Sequence, residues 1–261
     1  MTNNYIHEIV NKLMHAYETK TPIEFIRNQY TLDEKTAYTI QNELINRIIE
    51  KEKVEIAGYK ISMTSKETQA IANTHEPAYG TLLSTHIVKG SEKVPLSNLF
   101  HPFAEPEIMF ILTDDLSEDA SEEEILRKTK IAAGLEIPDA RYIDWFPNFS
   151  LVDLLSDDTA TGLVVVSEEQ MDPPSLDALS KVKMELFHNE EKLSDGVSSA
   201  VLGNPVFAVK WLVDKLRSHH KQLKKGMIIS SGTFISPLPI EEGTYKVSYT
   251  GIGNVEVTFT K

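Results

Sequence analysis

Near residue 80 the apolar residues of this chain change their spacing, and few arrangements of secondary structure tolerate such a change. Before it, Ile6, Ile9, Val10, Leu13, Met14 and Tyr17 recur at helical intervals, which predicts a helix over residues 4–19. A second helix is predicted to open at Thr31, with Thr31 and Glu34 as a capping box and Ala37, Ile40, Leu44, Ile45 and Ile48 as its buried face. A short strand, Ile56 to Met63, and a third helix from Ser65 to Asn73 complete this part. Beyond it the runs are short, β-branched or aromatic, and bounded by turn residues: 108–112, 163–166, 182–187, 227–230, 245–249 and 255–259. Two helices interrupt them. One is capped by Ser121 with Glu124 and runs to Ala133; the other follows Asn204 as N-cap, has Pro205 at its first position and ends near Arg217. Gly251-Ile252-Gly253 reads as the turn of a terminal hairpin. The class is therefore α+β: a mainly helical part over residues 1–80 and a mostly antiparallel β body over residues 81–261.

Composition narrows the chemistry. The formal charge is −13, from 39 acidic against 26 basic side chains, which repels phosphate backbones and anionic bilayers but attracts divalent cations. Nucleic acid and membranes are accordingly not expected as partners. The absence of cysteine removes disulfides, thiolate nucleophiles, cysteine-ligated zinc and iron–sulfur clusters. The first residues lack a basic start with an apolar run, and no apolar run is long enough to span a bilayer, so the expected location is the cytoplasm. Gly251-x-Gly253 lacks a third glycine and a following helix, so it is no dinucleotide fingerprint, and there is no Walker A sequence. Gly196-Val197-Ser198-Ser199-Ala200 falls one glycine short of a nucleophile elbow. His219 and His220 lie in polar surroundings and read as solvated surface residues.

The segment Phe103-Ala104-Glu105-Pro106-Glu107-Ile108 is unusual. Strand side chains alternate, so Glu105 and Glu107 project on one face while Ile108, Phe110 and Leu112 take the other. Like charges side by side repel, and a cation between them removes that cost. Pro106, lacking a donor, fits an edge or a strand entrance. A third carboxylate, Glu136 in Gly134-Leu135-Glu136-Ile137-Pro138, sits in a similarly apolar stretch just after a helix. Three carboxylates would suit Mg²⁺ or Mn²⁺. Spacing alone is equally compatible with Glu105 and Glu107 flanking a solvent-facing edge and Glu136 pairing with an arginine. Lys60, in a strand-like stretch, could meet a substrate carboxylate or snorkel from a strand edge.

The order of these residues adds what spacing cannot. Gly58-Tyr59-Lys60-Ile61-Ser62-Met63-Thr64-Ser65 resembles the G-x-K-x-x-x-T-S stretch of the 2-keto-4-pentenoate hydratase and 4-oxalocrotonate decarboxylase family. Glu76-Pro77-Ala78-Tyr79-Gly80, Glu105-Pro106-Glu107-Ile108, Glu136-Ile137-Pro138-Asp139-Ala140-Arg141 with Asp144-Trp145, and Val201-Leu202-Gly203-Asn204-Pro205 are similar to its later landmarks. Ala208-Val209, Trp211-Leu212, Leu223-x-x-Gly226, Ser230-Ser231-Gly232-Thr233 and Gly251-Ile252-Gly253 complete a set that runs from about residue 5 to 260. The resemblance implies a fumarylacetoacetase-like fold, with an N-terminal helical part and mixed, rolled β-sheets around a metal. It implies Glu105, Glu107 and Glu136 as ligands of Mg²⁺ (or Mn²⁺), Lys60 as a catalytic residue, and Gly232 and Thr233 as substrate-binding. It further implies a lyase of small 2-oxo or 2-hydroxydienoic acids in aromatic-compound catabolism, working as a homo-oligomer or in a complex with a pathway homologue. A diketo-acid hydrolase or decarboxylase of the same superfamily, or a non-catalytic partner subunit, is the alternative. Two positions depart from the hydratase pattern: Ala78 stands for an aspartate and Ala160 for a serine.

Overall fold

The computed structural model describes residues 2–261, with side chains from Tyr5 onward. Helix α1 (Thr2–Thr19) buries Ile9, Val10, Leu13 and Met14, the face expected from their spacing. It packs on α2 (Glu34–Glu52), which buries Ala37, Ile40, Leu44, Ile45 and Ile48 and also Tyr38 and Gln41. The cap of α2 differs from expectation. Asp33, not Thr31, accepts from Thr36 N at 2.8 Å, and Glu34 becomes the first helical residue. An aspartate accepts the orphan donor at least as well as a threonine, and Glu34 then lies where the helix dipole favours an acid. The short α3 (Lys66–Ile71) starts at Ser65 in a capping box with Thr68.

A large mixed sheet forms the centre of the molecule. Its strands are β1 (Ile56–Ser62), β2 (Ala78–Leu83), β3 (Ile87–Lys89), β5 (Phe103–Leu112), β6 (Thr129–Ile137), β7 (Leu163–Val166) and β10 (Ile228–Ser230), in the order β2-β1-β10-β5-β6-β7-β3, with β11 (Leu238–Pro239) added to the start of β5. A second sheet orders β4 (Lys93–Pro95), β13 (Gly253–Thr260), β12 (Gly243–Tyr249), β8 (Lys183–His188) and β9 (Glu191–Val197) as β4-β13-β12-β8-β9. Its apolar face, with Tyr245, Val247, Val257 and Phe259, joins the main core. The terminal hairpin is as expected, with Tyr249 paired to Gly253. Helix α8 (Pro205–Ser218) begins as predicted, Asn204 accepting from Val206 N at 3.2 Å. The remaining helices are α4 (Glu122–Arg127), α5 (Trp145–Asn148), α6 (Leu151–Ser156) and α7 (Leu176–Leu179). Among the described residues, no helix is long and apolar enough to cross a membrane.

The helix expected from Ser121 to Ala133 is half strand. It stops at Arg127, and β6 begins at Thr129, whose hydroxyl donates to Ile125 O at 2.8 Å. Ala132 and Ala133 favour a helix locally, but β6 pairs with β5 along its length and with β7 on its other side. Sheet pairing overrides the propensity. Small residues are needed there for packing: a Cβ on Gly134 would lie 2.4 Å from the Met109 side chain. Of the two positions read for Pro106, an edge or a strand entrance, the edge is corrected. β5 is flanked on both sides, by β6 and by β10 and β11. Pro106 falls in the gap between β10 and β11, where Phe234 N reaches its carbonyl at 3.3 Å, so its missing N–H costs no ladder bond.

Candidate functional site

The register of β5 against β6 builds a cluster of carboxylates. Glu105 stands directly opposite Glu136, and Glu107, opposite Gly134, lies two residues along on the same face. Oxygens of all three carboxylates lie within 4.8 Å of one another, and all three residues are buried, Glu107 completely. Directly opposed like charges destabilise a sheet, so this register is held against its own electrostatics.

Compensation is incomplete. Lys60, in the middle of β1 and 2% exposed, places Nζ 2.8 Å from Glu136 Oε1, as an ion pair outside hydrogen-bonding geometry. Glu107 Oε2 accepts from Ser230 Oγ at 2.6 Å and from Gly232 N at 2.7 Å. Among the described residues, Glu107 Oε1 and Glu136 Oε2 have no hydrogen-bond donor, and Glu136 Oε1 meets only the Lys60 ammonium. Burial, with Glu136 opposite, pushes the Glu105 carboxyl up to about 8 even though Lys60 pulls it down. Burial and then Glu136 and Glu105 lift Glu107 well above the usual carboxylate range, against the pull of Ser230 and Gly232. Burial pulls the Lys60 ammonium down, but Glu136, Glu105 and Glu107 together reverse this and raise it. Buried carboxylate oxygens without donors are costly, and a set of hard oxygens with spare lone pairs fits a hard divalent cation.

The structure thus brings Lys60, Glu105, Glu107 and Glu136 together. Glu105 and Glu107 do not lie on an edge strand, and among the described residues Glu136 has no arginine partner. Gly232 adjoins the cluster through its N–H; its φ is +115°, and a Cβ there would come within 2.4 Å of Thr64 Oγ1. The Thr233 hydroxyl closes a turn instead, donating to Ile235 O at 3.1 Å. Ser230 was not singled out from the sequence, although it opens the Ser230-Ser231-Gly232-Thr233 motif. At the Lys60 and Glu105 side of the cluster lies a narrow cleft, lined also by Ser62 and Ala160 and by apolar side chains of α3, α5 and α6. Ala160 is therefore at the cleft, while Ala78 is buried on β2 opposite Ser62. His219 is not a plain surface residue: Tyr79 Oη lies 2.7 Å from its Nδ1, and it packs against Tyr38. It takes no part in the cluster.

Ala160 belongs to a turn in which Asp158, Thr159 and Ala160 all have φ near +50° (50°, 55° and 53°). Such conformations are strained for non-glycine residues and need anchoring. Thr159 Oγ1 donates to Tyr79 O at 2.6 Å, Gln41 Nε2 donates to the same carbonyl at 3.0 Å, and Asp158 Oδ1 accepts from Thr81 N at 2.8 Å. Next to this turn, buried Arg141 donates to the Asp157 carboxylate through Nε and to Thr161 O at 3.0 Å through Nη1.

No family model matches the chain. Individual proteins do. A 2-keto-4-pentenoate hydratase of Paraburkholderia xenovorans (strain LB400) is 31% identical over 99% of this chain and 96% of its own length. A 2-hydroxyhexa-2,4-dienoate hydratase of Comamonas testosteroni is 30% identical over 95% of this chain and 94% of its own. Among solved structures, 4-oxalocrotonate decarboxylase from Pseudomonas putida G7, complexed with magnesium and adipate, superposes with a TM-score of 0.90 at 22% identity, covering 100% of this chain and 99% of that one. That likeness extends to the whole arrangement of helical layer and mixed sheets. Matched end to end at 30% identity and above, the chain belongs to the 2-keto-4-pentenoate hydratase family of enzymes.

Proposed function

We propose that this enzyme is a Mg²⁺- or Mn²⁺-dependent lyase of small 2-oxo or 2-hydroxydienoic acids in aromatic-compound catabolism, with Glu105, Glu107 and Glu136 holding the metal. The observation that carries the reading is the set of three buried carboxylates with only Lys60 against them and with oxygens of Glu107 and Glu136 lacking donors. A divalent cation bound there would supply a Lewis acid for the chelating oxygens of a 2-oxo acid.

The chain's own residues do the rest. Ser230 and Gly232 fix one oxygen of Glu107, so the carboxylate is oriented before any ligand arrives. Lys60 lies at both the cluster and the cleft, where its ammonium would meet the substrate's carboxylate end or move a proton. Gly232 and Thr233 form the loop beside the cluster and would bound the substrate on that side. The apolar cleft excludes water around these charges and strengthens their interactions. Ala160 can neither take nor give a proton, and nor can Ala78, which favours loss of CO₂ or tautomerisation over water addition.

The boundary near residue 80 is read as a change of secondary structure within one working unit, because β1 and β2 are hydrogen-bonded into the sheet that carries the glutamates. A cytoplasmic homo-oligomer is part of the same reading. The oligomer is supported by the open edge strand β9, where Leu193 and Val197 are exposed, the kind of surface a second copy covers. The test of function is ultraviolet monitoring of a panel of 2-hydroxydienoates and 2-oxo-enedioates, with Mg²⁺ and after chelation. Metal-dependent loss of the diene absorbance by the purified protein is expected. A panel unchanged by the protein in the presence of Mg²⁺ would remove the lyase reading and leave that of a partner subunit.

A further inference from the structure

A side chain of the second sheet reaches the strand pair that carries the glutamates. Tyr249 is the last residue of β12, paired with Gly253 of β13 across the terminal turn and with Met184 of β8. It is buried, and its hydroxyl donates to Gly134 O on β6 at 2.7 Å. Gly134 stands opposite Glu107 and two positions before Glu136 on the same strand. It is the weak point of the pair, because a glycine inside a strand has no side chain to pack and leaves its backbone free to shift. A larger residue does not fit: a Cβ would meet Met109 at 2.4 Å. The register here is also held against the repulsion of Glu105 and Glu136. A hydrogen bond from outside the sheet thus fixes a carbonyl that its own residue's packing cannot.

The same tyrosine braces the other support of Glu107. Its ring meets Phe234 edge-on, with centroids 5.7 Å apart. Phe234 N donates to Pro106 O at 3.3 Å, and Gly232 N, two residues earlier, donates to Glu107 Oε2 at 2.7 Å. Tyr249 therefore touches both the strand facing Glu107 and the loop that orients its carboxylate. The Gly251–Gly253 turn gains a purpose from this. Gly251, at φ +76°, lets the chain turn back directly after Tyr249 and holds the tyrosine at the end of its strand.

We propose that Tyr249 is a positioning residue of the metal centre: through Gly134 and Phe234 it holds the backbone on both sides of Glu107, so that the three carboxylates converge on the cation. The proposal rests on the reading that Glu105, Glu107 and Glu136 hold the metal. The hydroxyl donates to a carbonyl and not to a carboxylate, so its influence passes through the backbone. Groups that orient metal ligands set affinity by about ten- to hundredfold, and one acting through the backbone belongs at the lower end.

Tyr249→Phe removes the hydroxyl and keeps the ring with its packing. Tyr142→Phe is the control, because Tyr142 is also buried and its hydroxyl donates to Asp153 O at 3.0 Å, outside the cluster. Wild type and both variants, as full-length proteins, are titrated with Mg²⁺ by calorimetry, and their unfolding midpoints are measured without metal. Both variants should lose some stability, but only Tyr249→Phe should bind Mg²⁺ more weakly, by about tenfold. Wild-type Mg²⁺ affinity in Tyr249→Phe would reduce the tyrosine to a structural role and overturn the proposal, with the metal site still standing. Equal weakening in Tyr142→Phe would overturn it too, since loss of any buried hydroxyl would then have the same effect. A wild type that takes up no Mg²⁺ would overturn both the proposal and the reading beneath it.

Discussion

Two clusters of charge are buried in this molecule, and they are built on opposite principles. Around Arg141, each charge meets its complement: the guanidinium faces the Asp157 carboxylate and two carbonyl oxygens, and Arg141 N adds a bond to Asp157 Oδ2 at 2.7 Å. Burial lifts Asp157 to about 6, and Arg141 is the first influence that holds it down. Around Glu105 the first influence after burial is another carboxylate, Glu136, and it pushes the same way as burial. One cluster is closed and serves the fold, pinning the segment after β6 to the turn at 157–161. The other sets three carboxyl groups against one ammonium, an imbalance that a divalent cation would correct.

Breaking the closed cluster should have the largest effect. Arg141→Met leaves Asp157 buried without its partner, and a loss of about 3–5 kcal/mol is expected in urea unfolding. The loss should be the same with and without Mg²⁺; rescue by the metal would mean that the two clusters are not separate. Lys60→Ala comes next. Turnover should fall by about 10²-fold or more, as for removal of a positioned acid–base group, while Mg²⁺ affinity stays almost intact. Wild-type turnover in that variant would return Lys60 to a structural role.

The open cluster can be tested by filling it. Mg²⁺ or Mn²⁺ should raise the wild-type unfolding midpoint, with a stabilisation of about 2.7 kcal/mol at a hundredfold excess over Kd. Glu107→Gln should abolish the rise; a wild-type midpoint indifferent to millimolar metal would count heavily against the site. For the reaction itself, hydration of 2-hydroxypenta-2,4-dienoate should be weak and should improve in Ala78→Asp, by up to about 10²-fold. Fast hydration by the wild type, unimproved by the aspartate, would show that neither alanine limits water addition.

The strained turn beside the cleft should make stability depend on pH. Burial lifts the Asp158 carboxyl from 3.8 to about 7. The folded state then binds this proton more tightly than the unfolded chain does. The corresponding stability is complete below about pH 4 and is lost as pH rises through about 7. Asp158→Asn removes that dependence, so its midpoint should gain on the wild type between about pH 5 and about pH 8. A gain by the wild type over that interval would reverse the sign and exclude a raised Asp158.

Local patterns were decisive where a residue's environment is set by its near neighbours. The apolar stripes of α1 and α2, the Asn204-Pro205 start of α8 and the Gly251–Gly253 turn could be read directly, because caps and periodicity act within a few residues. The pairing of Glu105 with Glu107 on one face was equally legible, since strand alternation needs no partner. Glu136 and Lys60 stood out from their own surroundings, and the order of motifs along the chain added their implied roles and the family itself. Sequence did not reveal that Ala132 and Ala133 lie in a strand, that β5 is central, or that Asp33 caps α2.

Tertiary structure decided the rest, for one physical reason: the energies involved belong to pairs of segments far apart in the chain. The opposition of Glu105 to Glu136 exists only once β5 and β6 have chosen their register. Ser230 and Gly232 reach Glu107 across more than a hundred residues, and Lys60 reaches Glu136 from β1. The cleft's apolar lining is drawn from α3, α5, α6 and the segments around Met63 and Phe149. Thus the sequence by itself determined which carboxylates face the same way and which chemistry they suit. Only the fold determined that they are buried with one lysine between them, because burial and its cost are properties of the assembled sheet.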